Sequence, residues 1–183
     1  MSGKVTPPDI VRQIFTGRIF SVAVETVTLP YGHRLEAEII RHPPSVVIVP
    51  IDAEGRVILI RQYRHAVGRW LWELPAGSTD PGEDARLAAA RECQEEIGLI
   101  PSDLTRLGAF FPTPGYCDEE MIFFRATGLR TPGADDPVAH ADADEHIEPR
   151  AYSLDEAQRL IEQGEIVDLK TVAGLALVAN HRP

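Results

Sequence analysis

Residues Gly77 to Leu99 read GSTDPGEDARLAAARECQEEIGL, and this stretch decides the fold. Asp80-Pro81-Gly82 turns the chain, and a helix is expected from about Glu83 to Ile97 with Gly98 as its stop. Glu92, Glu95 and Glu96 stand at i, i+3 and i+4, so the helix carries all three on one side. Crowded carboxylates repel one another unless a cation lies among them. Divalent metal chemistry is therefore the first expectation. Hard cations such as Mg²⁺ take oxygen ligands and leave coordination positions for phosphate oxygens. They can polarise both an attacking water and a leaving oxygen. Arg91 cannot face the same way as all three glutamates and is expected to pair with Glu83, about two turns earlier, holding the helix entrance. Leu87, Ala90, Cys93 and Ile97 form the expected core stripe, with the glutamates on another face. A glutamate-rich helix can equally be a solvated surface helix, and the carboxylates alone do not separate the two.

Outward from the helix, short strands are expected. Ile19 to Leu29 and Arg34 to His42 are rich in β-branched and aliphatic residues and flank the turn Pro30-Tyr31-Gly32-His33. They read as an antiparallel hairpin. His42-Pro43-Pro44 then breaks the chain, dividing an N-terminal β unit (residues 1–43) from a main domain (residues 44–183). Ser45 to Ile51 and Arg56 to Arg61 read as two buried strands joined by a tight turn at Asp52-Ala53-Glu54-Gly55. Further strands are expected at Trp70 to Leu74, Leu104 to Phe111, Met121 to Ala126 and Ile147 to Tyr152. Thr131 to Asp144 reads as a loop. Ser153 caps a helix at about Leu154 to Gln163, and a last helix runs from about Asp168 to Ala179. The mixed order predicts an α+β fold or a sheet sandwiched by helices.

Composition narrows the function classes. The chain has 183 residues, 44% hydrophobic and 25% charged, the proportions of a globular protein with one ordinary core. Its net charge of −10 argues against general nucleic-acid binding, which needs a basic footprint. A small anionic substrate is compatible, because bound metal and a few arginines can reverse the potential locally. No apolar run approaches a membrane span, and the opening MSGKVTPPDI lacks a signal-peptide core. Cys93 and Cys117 suggest neither a disulfide framework nor a zinc site. A cytoplasmic location is the default expectation.

Gly77, Glu83, Arg91, Glu92, Cys93, Glu95, Glu96, Gly98 and Leu99 together resemble the Nudix box, G-x5-E-x7-R-E-U-x-E-E-x-G-U with U a bulky apolar residue. Cys93 is the one soft departure, and cysteine packs as a small hydrophobe. The resemblance implies an α/β/α sandwich around a mixed sheet, within the α/β (α+β) class, preceded by a small antiparallel β unit. It implies Mg²⁺- or Mn²⁺-dependent hydrolysis of a nucleoside diphosphate linked to another moiety. Carried over by residue, it makes Glu92, Glu95 and Glu96 metal ligands, with the Ala76 carbonyl as a further ligand and Glu96 also catalytic.

The stretch from His42 to Ser78 (HPPSVVIVPIDAEGRVILIRQYRHAVGRWLWELPAGS) and the loop Phe111 to Glu119 (FPTPGYCDE) resemble the ADP-ribose pyrophosphatase branch of that family. Pro114, fifteen residues past Leu99, matches the position that marks this branch. The likeness implies that Arg64 meets substrate phosphates or adenosine, Glu73 contacts substrate or supports a contact, and Glu119 meets the terminal ribose. It also implies a homodimer joined through the N-terminal β units. The branch places its general base in an acidic loop, here Asp142-Ala143-Asp144-Glu145-His146-Ile147-Glu148. One expected glutamate is Ala143, so Glu145 is taken as base and additional metal ligand, with Asp142 and Asp144 as alternatives. Ala37 stands near where relatives carry a nucleotide-binding arginine or tryptophan. Phe15, Phe20 or Arg18 could replace that contact, although core packing is the expected use of the phenylalanines.

The reading is hydrolysis of ADP-ribose or a related nucleoside diphosphate sugar to a nucleoside monophosphate and a sugar phosphate. Alternatives are a GDP-mannose or other sugar-nucleotide hydrolase, and a non-catalytic ADP-ribose-sensing Nudix domain. Such sensors commonly lose box carboxylates, and all are present here. An isomerase using a catalytic cysteine is the weakest alternative.

Overall fold

In the computed structural model, residues 7–136 and 146–180 are described. Two compact units divide the chain. The first comprises Met1–Pro44 with Phe111–Glu120, and the second Ser45–Phe110 with Met121–Pro183.

The first unit holds the antiparallel sheet β1-β2-β3, from β1 (Ile10–Thr16), β2 (Ser21–Thr28) and β3 (Arg34–Arg41). The expected hairpin is β2 and β3, paired from Ser21↔Arg41 to Thr28↔Arg34. Strand β1 was not expected; all of its residues are exposed, so it shows no alternation of buried and open positions. Phe15 and Phe20 are not core residues: both are exposed, their rings 6.0 Å apart. The Phe111–Glu120 segment, assigned above to the main domain, joins this unit through backbone bonds. Ile40 N–H donates to the Tyr116 carbonyl (2.7 Å) and Asp118 N–H to the Ile40 carbonyl (3.2 Å). Arg41 adds ion pairs to Asp118 (2.9 Å) and Glu25 (2.6 Å).

Among the described residues, the second unit contains two sheets and three α-helices. One sheet has the order β7-β4-β9-β8, from β4 (Ser45–Pro50), β7 (Ala76–Ser78), β8 (Asp103–Phe110) and β9 (Met121–Thr127). The other has the order β10-β5-β6, from β5 (Val57–Arg64), β6 (Arg69–Glu73) and β10 (Ile147–Tyr152). The two buried strands and the turn between them form as expected, but the β4–β5 connection is not a hairpin. Asp52 does close the turn, accepting from the backbone of Glu54 (3.0 Å) and Arg56 (2.8 Å). Beyond the Ile51↔Val57 bridge, however, the strands part into different sheets. The pairing of β4 with β9 is parallel, and its other pairing, with β7, is antiparallel, which makes that sheet mixed.

The period of two along β4 and β5 feeds two apolar layers. Val46, Ile48, Ile58 and Ile60 pack with α1 (Ala85–Ile97), while Val47, Val49, Val57 and Leu59 pack with α2 (Leu154–Glu162) and α3 (Leu169–Asn180). Strands buried on both faces read as continuous apolar runs, as SVVIVP and VILI do. Helix α1 starts at Asp84, whose carboxylate accepts from the backbone of Arg86 and Leu87, and ends on Gly98 at φ 71°. Ser153 and Glu156 form a reciprocal capping box on α2. Among the described residues no helix is long and apolar enough to cross a membrane.

Candidate active site

Helix α1 does not bury the stripe its periodicity suggests. Leu87 is 66% exposed and Ala90 only partly buried; Ala88, Ala89, Cys93 and Ile97 face the core, and the carboxyl-bearing Glu92 and Glu96 are buried with them. Two acids thus lie on the inward side of the helix, where a lone carboxylate is costly. Each is met locally. Glu96 accepts from the backbone N–H of Ala76 at 2.9 Å. Glu92 lies over Gly77 so closely that a Cβ there would sit 2.1 Å from its carboxyl carbon. The short strand β7 and the helix therefore meet through carboxylates rather than through apolar side chains.

Arg91 makes more contacts than the pairing with Glu83 that was expected of it. It pairs with Glu83 as anticipated (Nε to Oε1 3.1 Å, Nη2 to Oε2 3.0 Å). It also reaches two of the three glutamates, donating through Nη1 to Glu92 (2.7 Å) and Glu95 (2.8 Å). A further bond runs from Nη2 to the Ser78 carbonyl (3.2 Å). The hydrogen bond from Arg91 holds the Glu83 carboxyl below the ordinary range, and the same partners raise the guanidinium further above its own. Arg91→Ala is expected to lower the melting temperature by about 2–4 °C, for a loss of about 1 kcal/mol at a partly exposed site, and to lower activity as well. Because the folded-state value of Glu83 is depressed, its stabilisation is present above the unfolded carboxylate value. It is lost as pH falls through the folded one, so thermal melts of variant and parent should converge in acid.

The donor types suit a hard divalent cation: three carboxylates on one helix, and Ala76, whose N–H donates to Glu96, adds a backbone carbonyl from β7, so all are oxygen. One guanidinium offsets the charge of several acids here. Among the described residues no three acid, histidine or cysteine side chains are gathered into a ready-made cage. Glu145, Ala143, Asp142 and Asp144, where the general base was sought, lie outside the described residues.

Arg64 closes β5, its guanidinium held in bidentate fashion by Glu73 (Nε to Oε1 2.9 Å, Nη2 to Oε2 2.8 Å) while its side chain is 40% exposed. Glu73, expected to contact substrate or to support such a contact, is 1% exposed, and both its oxygens are engaged by cations. In this arrangement it holds the Arg64 guanidinium. Burial alone would raise the Glu73 carboxyl, but the Arg64 hydrogen bonds and the Lys170 charge more than offset it and hold it low. Lys170 and Asp168, at the start of α3, complete this cluster, and sequence reasoning missed both. Losing one partner from such a buried pair costs about 3–5 kcal/mol. Glu119 belongs to the first unit, with one carboxylate oxygen 3.9 Å from His42 Nδ1.

Cys93 is fully buried, and its thiol is pushed up to about 12 by that burial and by the nearby Glu96 charge. It is no nucleophile at neutral pH.

Residues 41–174 match the NUDIX domain. The chain is 35% identical over 159 residues to the ADP-ribose pyrophosphatase of Bacillus subtilis (strain 168), covering 87% of this chain and 84% of that one. It is 39% identical over 166 residues to the ADP-ribose pyrophosphatase of Mycobacterium tuberculosis (strain ATCC 25618 / H37Rv), covering 90% and 79%. The fold superposes on the crystal structure of an ADP compounds hydrolase with a TM-score of 0.76 and 27% identity, covering 98% of this chain and 96% of that one. With the box residues brought together on α1 and β7, these likenesses establish that the chain belongs to the Nudix hydrolase family.

Proposed function

We propose that this Nudix hydrolase cleaves the pyrophosphate bond of ADP-ribose, or of a closely related nucleoside diphosphate sugar, to a nucleoside monophosphate and a sugar phosphate. The observation that carries the reading is the joint presence of every box carboxylate and a half-exposed Arg64 in a chain 35–39% identical to two ADP-ribose pyrophosphatases. Glu92, Glu95, Glu96 and the Ala76 carbonyl would hold Mg²⁺ or Mn²⁺, with Glu145 as a further ligand. When bound, the cation supplies Lewis-acid polarisation of phosphate oxygens and makes a water more acidic.

The chain's own residues do the rest. Arg64 offers a fork of donors to the diphosphate and neutralises charge on the departing phosphate. Glu73 keeps that fork oriented. Glu145 takes the proton from the attacking water, and Glu119 hydrogen-bonds the terminal ribose. A homodimer through the first units is part of this reading, and the exposed Ile10, Val11, Ile14 and Phe15 of β1 support it. A cytoplasmic setting suits the substrate.

Product analysis on a panel of ADP-ribose, GDP-mannose and other sugar nucleotides tests it. With Mg²⁺ or Mn²⁺, ADP-ribose should give AMP and ribose 5-phosphate, and chelation should abolish turnover. Preferential turnover of GDP-mannose would reassign the substrate. Tight ADP-ribose binding without turnover would point to a sensing domain.

A further inference from the structure

We propose that Lys170, at the start of α3, is a positioning residue that sets how much of the Arg64 charge is left for the substrate's diphosphate. This rests on the hydrolase reading above. The observation behind it is a shared oxygen. Glu73 Oε2 accepts from both Arg64 Nη2 (2.8 Å) and Lys170 Nζ, and Lys170 Nζ also donates to Asp168 Oδ2 at 3.0 Å. Two cations and two carboxylates balance, and Glu73 and Lys170 are nearly sealed from water. Arg64 is the member of the four that is most open to solvent.

Electrostatics in such a place is strong because little water screens it. With Lys170 present, the charge of Glu73 is largely met from inside the fold, and the guanidinium of Arg64 can still attract a phosphate. Without it, Arg64 must meet the buried Glu73 carboxylate alone, and an incoming anion competes with that carboxylate.

The same helix end also fixes the backbone beside the box. Thr171 Oγ1 accepts from the Leu74 N–H (2.8 Å) and donates to Asp168 (2.6 Å). The Pro75 carbonyl accepts from Ile48 N–H (2.8 Å), and Ala76 N–H donates to Glu96 (2.9 Å). Gly174, on the same helix, lets α3 approach so closely that a Cβ there would lie 2.4 Å from Leu74 Cδ1. The start of α3 is thereby joined through residues 73–76 to the carboxylates of α1.

Lys170→Met is the test, with Lys170→Arg as the conservative variant and Arg56→Met as a control that removes one exposed charge. Lys170→Met should raise KM for ADP-ribose about tenfold and lower kcat less than threefold, since it weakens an anion contact rather than the chemistry. Lys170→Arg should bring KM back to within about threefold of the parent, and Arg56→Met should leave it within twofold. A merely structural role would lower kcat through loss of folded protein and leave KM unchanged. Should Lys170→Met fail to fold, Lys170→Gln reads the same KM shift. Calorimetric binding of inorganic pyrophosphate in metal-free buffer reads the proposal without turnover, and Lys170→Met should weaken it about tenfold. If the parent does not hydrolyse ADP-ribose but this weakening is seen, the substrate reading falls and the role of Lys170 stands. An unchanged KM and unchanged pyrophosphate affinity, or no pyrophosphate binding by the parent, would overturn the role.

Discussion

Glu96→Gln is expected to lower kcat for ADP-ribose by a factor on the order of 10³, about 4 kcal/mol in the barrier, while the protein still melts cooperatively. The substitution keeps shape and keeps an acceptor for the Ala76 N–H, so the corner between β7 and α1 need not move. What it removes is a full negative charge on the inward face of the helix, where a hard cation needs anionic oxygen. A glutamine carbonyl is a weaker donor, and its amide presents hydrogens where the ion would sit. Steady-state kinetics over a magnesium titration checks this. The apparent metal requirement should rise together with the loss of kcat, and a variant retaining more than a tenth of parental kcat at the parental metal concentration would remove Glu96 from the site.

The second large effect concerns a residue with no side chain. Gly77→Ala should lower kcat/KM about a hundredfold, with the melting temperature held to within a few degrees. A Cβ at this position would stand 2.1 Å from Oε1 of Glu92 and 2.3 Å from Oε2, far inside contact distance. The obstacle is the end of a flexible side chain, so the fold can yield where the carboxylate is displaced. Glu92 would then leave its place beside Arg91, and the backbone of β7 would stay paired with β4 through Val46↔Gly77. Circular dichroism melts beside the kinetics distinguish a moved ligand from a broken strand. A variant that loses ten degrees or more would show that the strand, not the acid, had given way.

The parts of the fold that were legible in the sequence share one property, a local signal. Helix α1 announced itself by Asp80-Pro81-Gly82 and Gly98, α2 by Ser153 with Asp155 and Glu156, and the buried strands by runs such as SVVIVP. The misreadings share the opposite property. Leu87 fitted a helical stripe but is outside, because Glu92 and Glu96 occupy the inward positions and are met by β7. The Asp52–Gly55 turn is real, yet no local signal told that β4 would choose β9 and β7 over β5. Strand β1 has no buried face to give it an alternating pattern. Arg64 was picked out as a phosphate or adenosine contact, but Lys170, which meets the same Glu73 carboxylate, lies on the last helix, and no spacing rule links it to Glu73. Sequence periodicity reports what one element does; ion pairs between distant elements appear only once the chain has folded.

Strands β4 and β5 serve both apolar layers of the second unit, one side chain up and the next down. Neither layer can then loosen alone, since freeing one face of a strand disturbs the residues that hold the other. The unit should come apart in a single step, with no half-melted form in which α3 has peeled away and α1 still works. For an enzyme of this construction, the temperature at which catalysis stops and the temperature at which the polypeptide unravels become the same number.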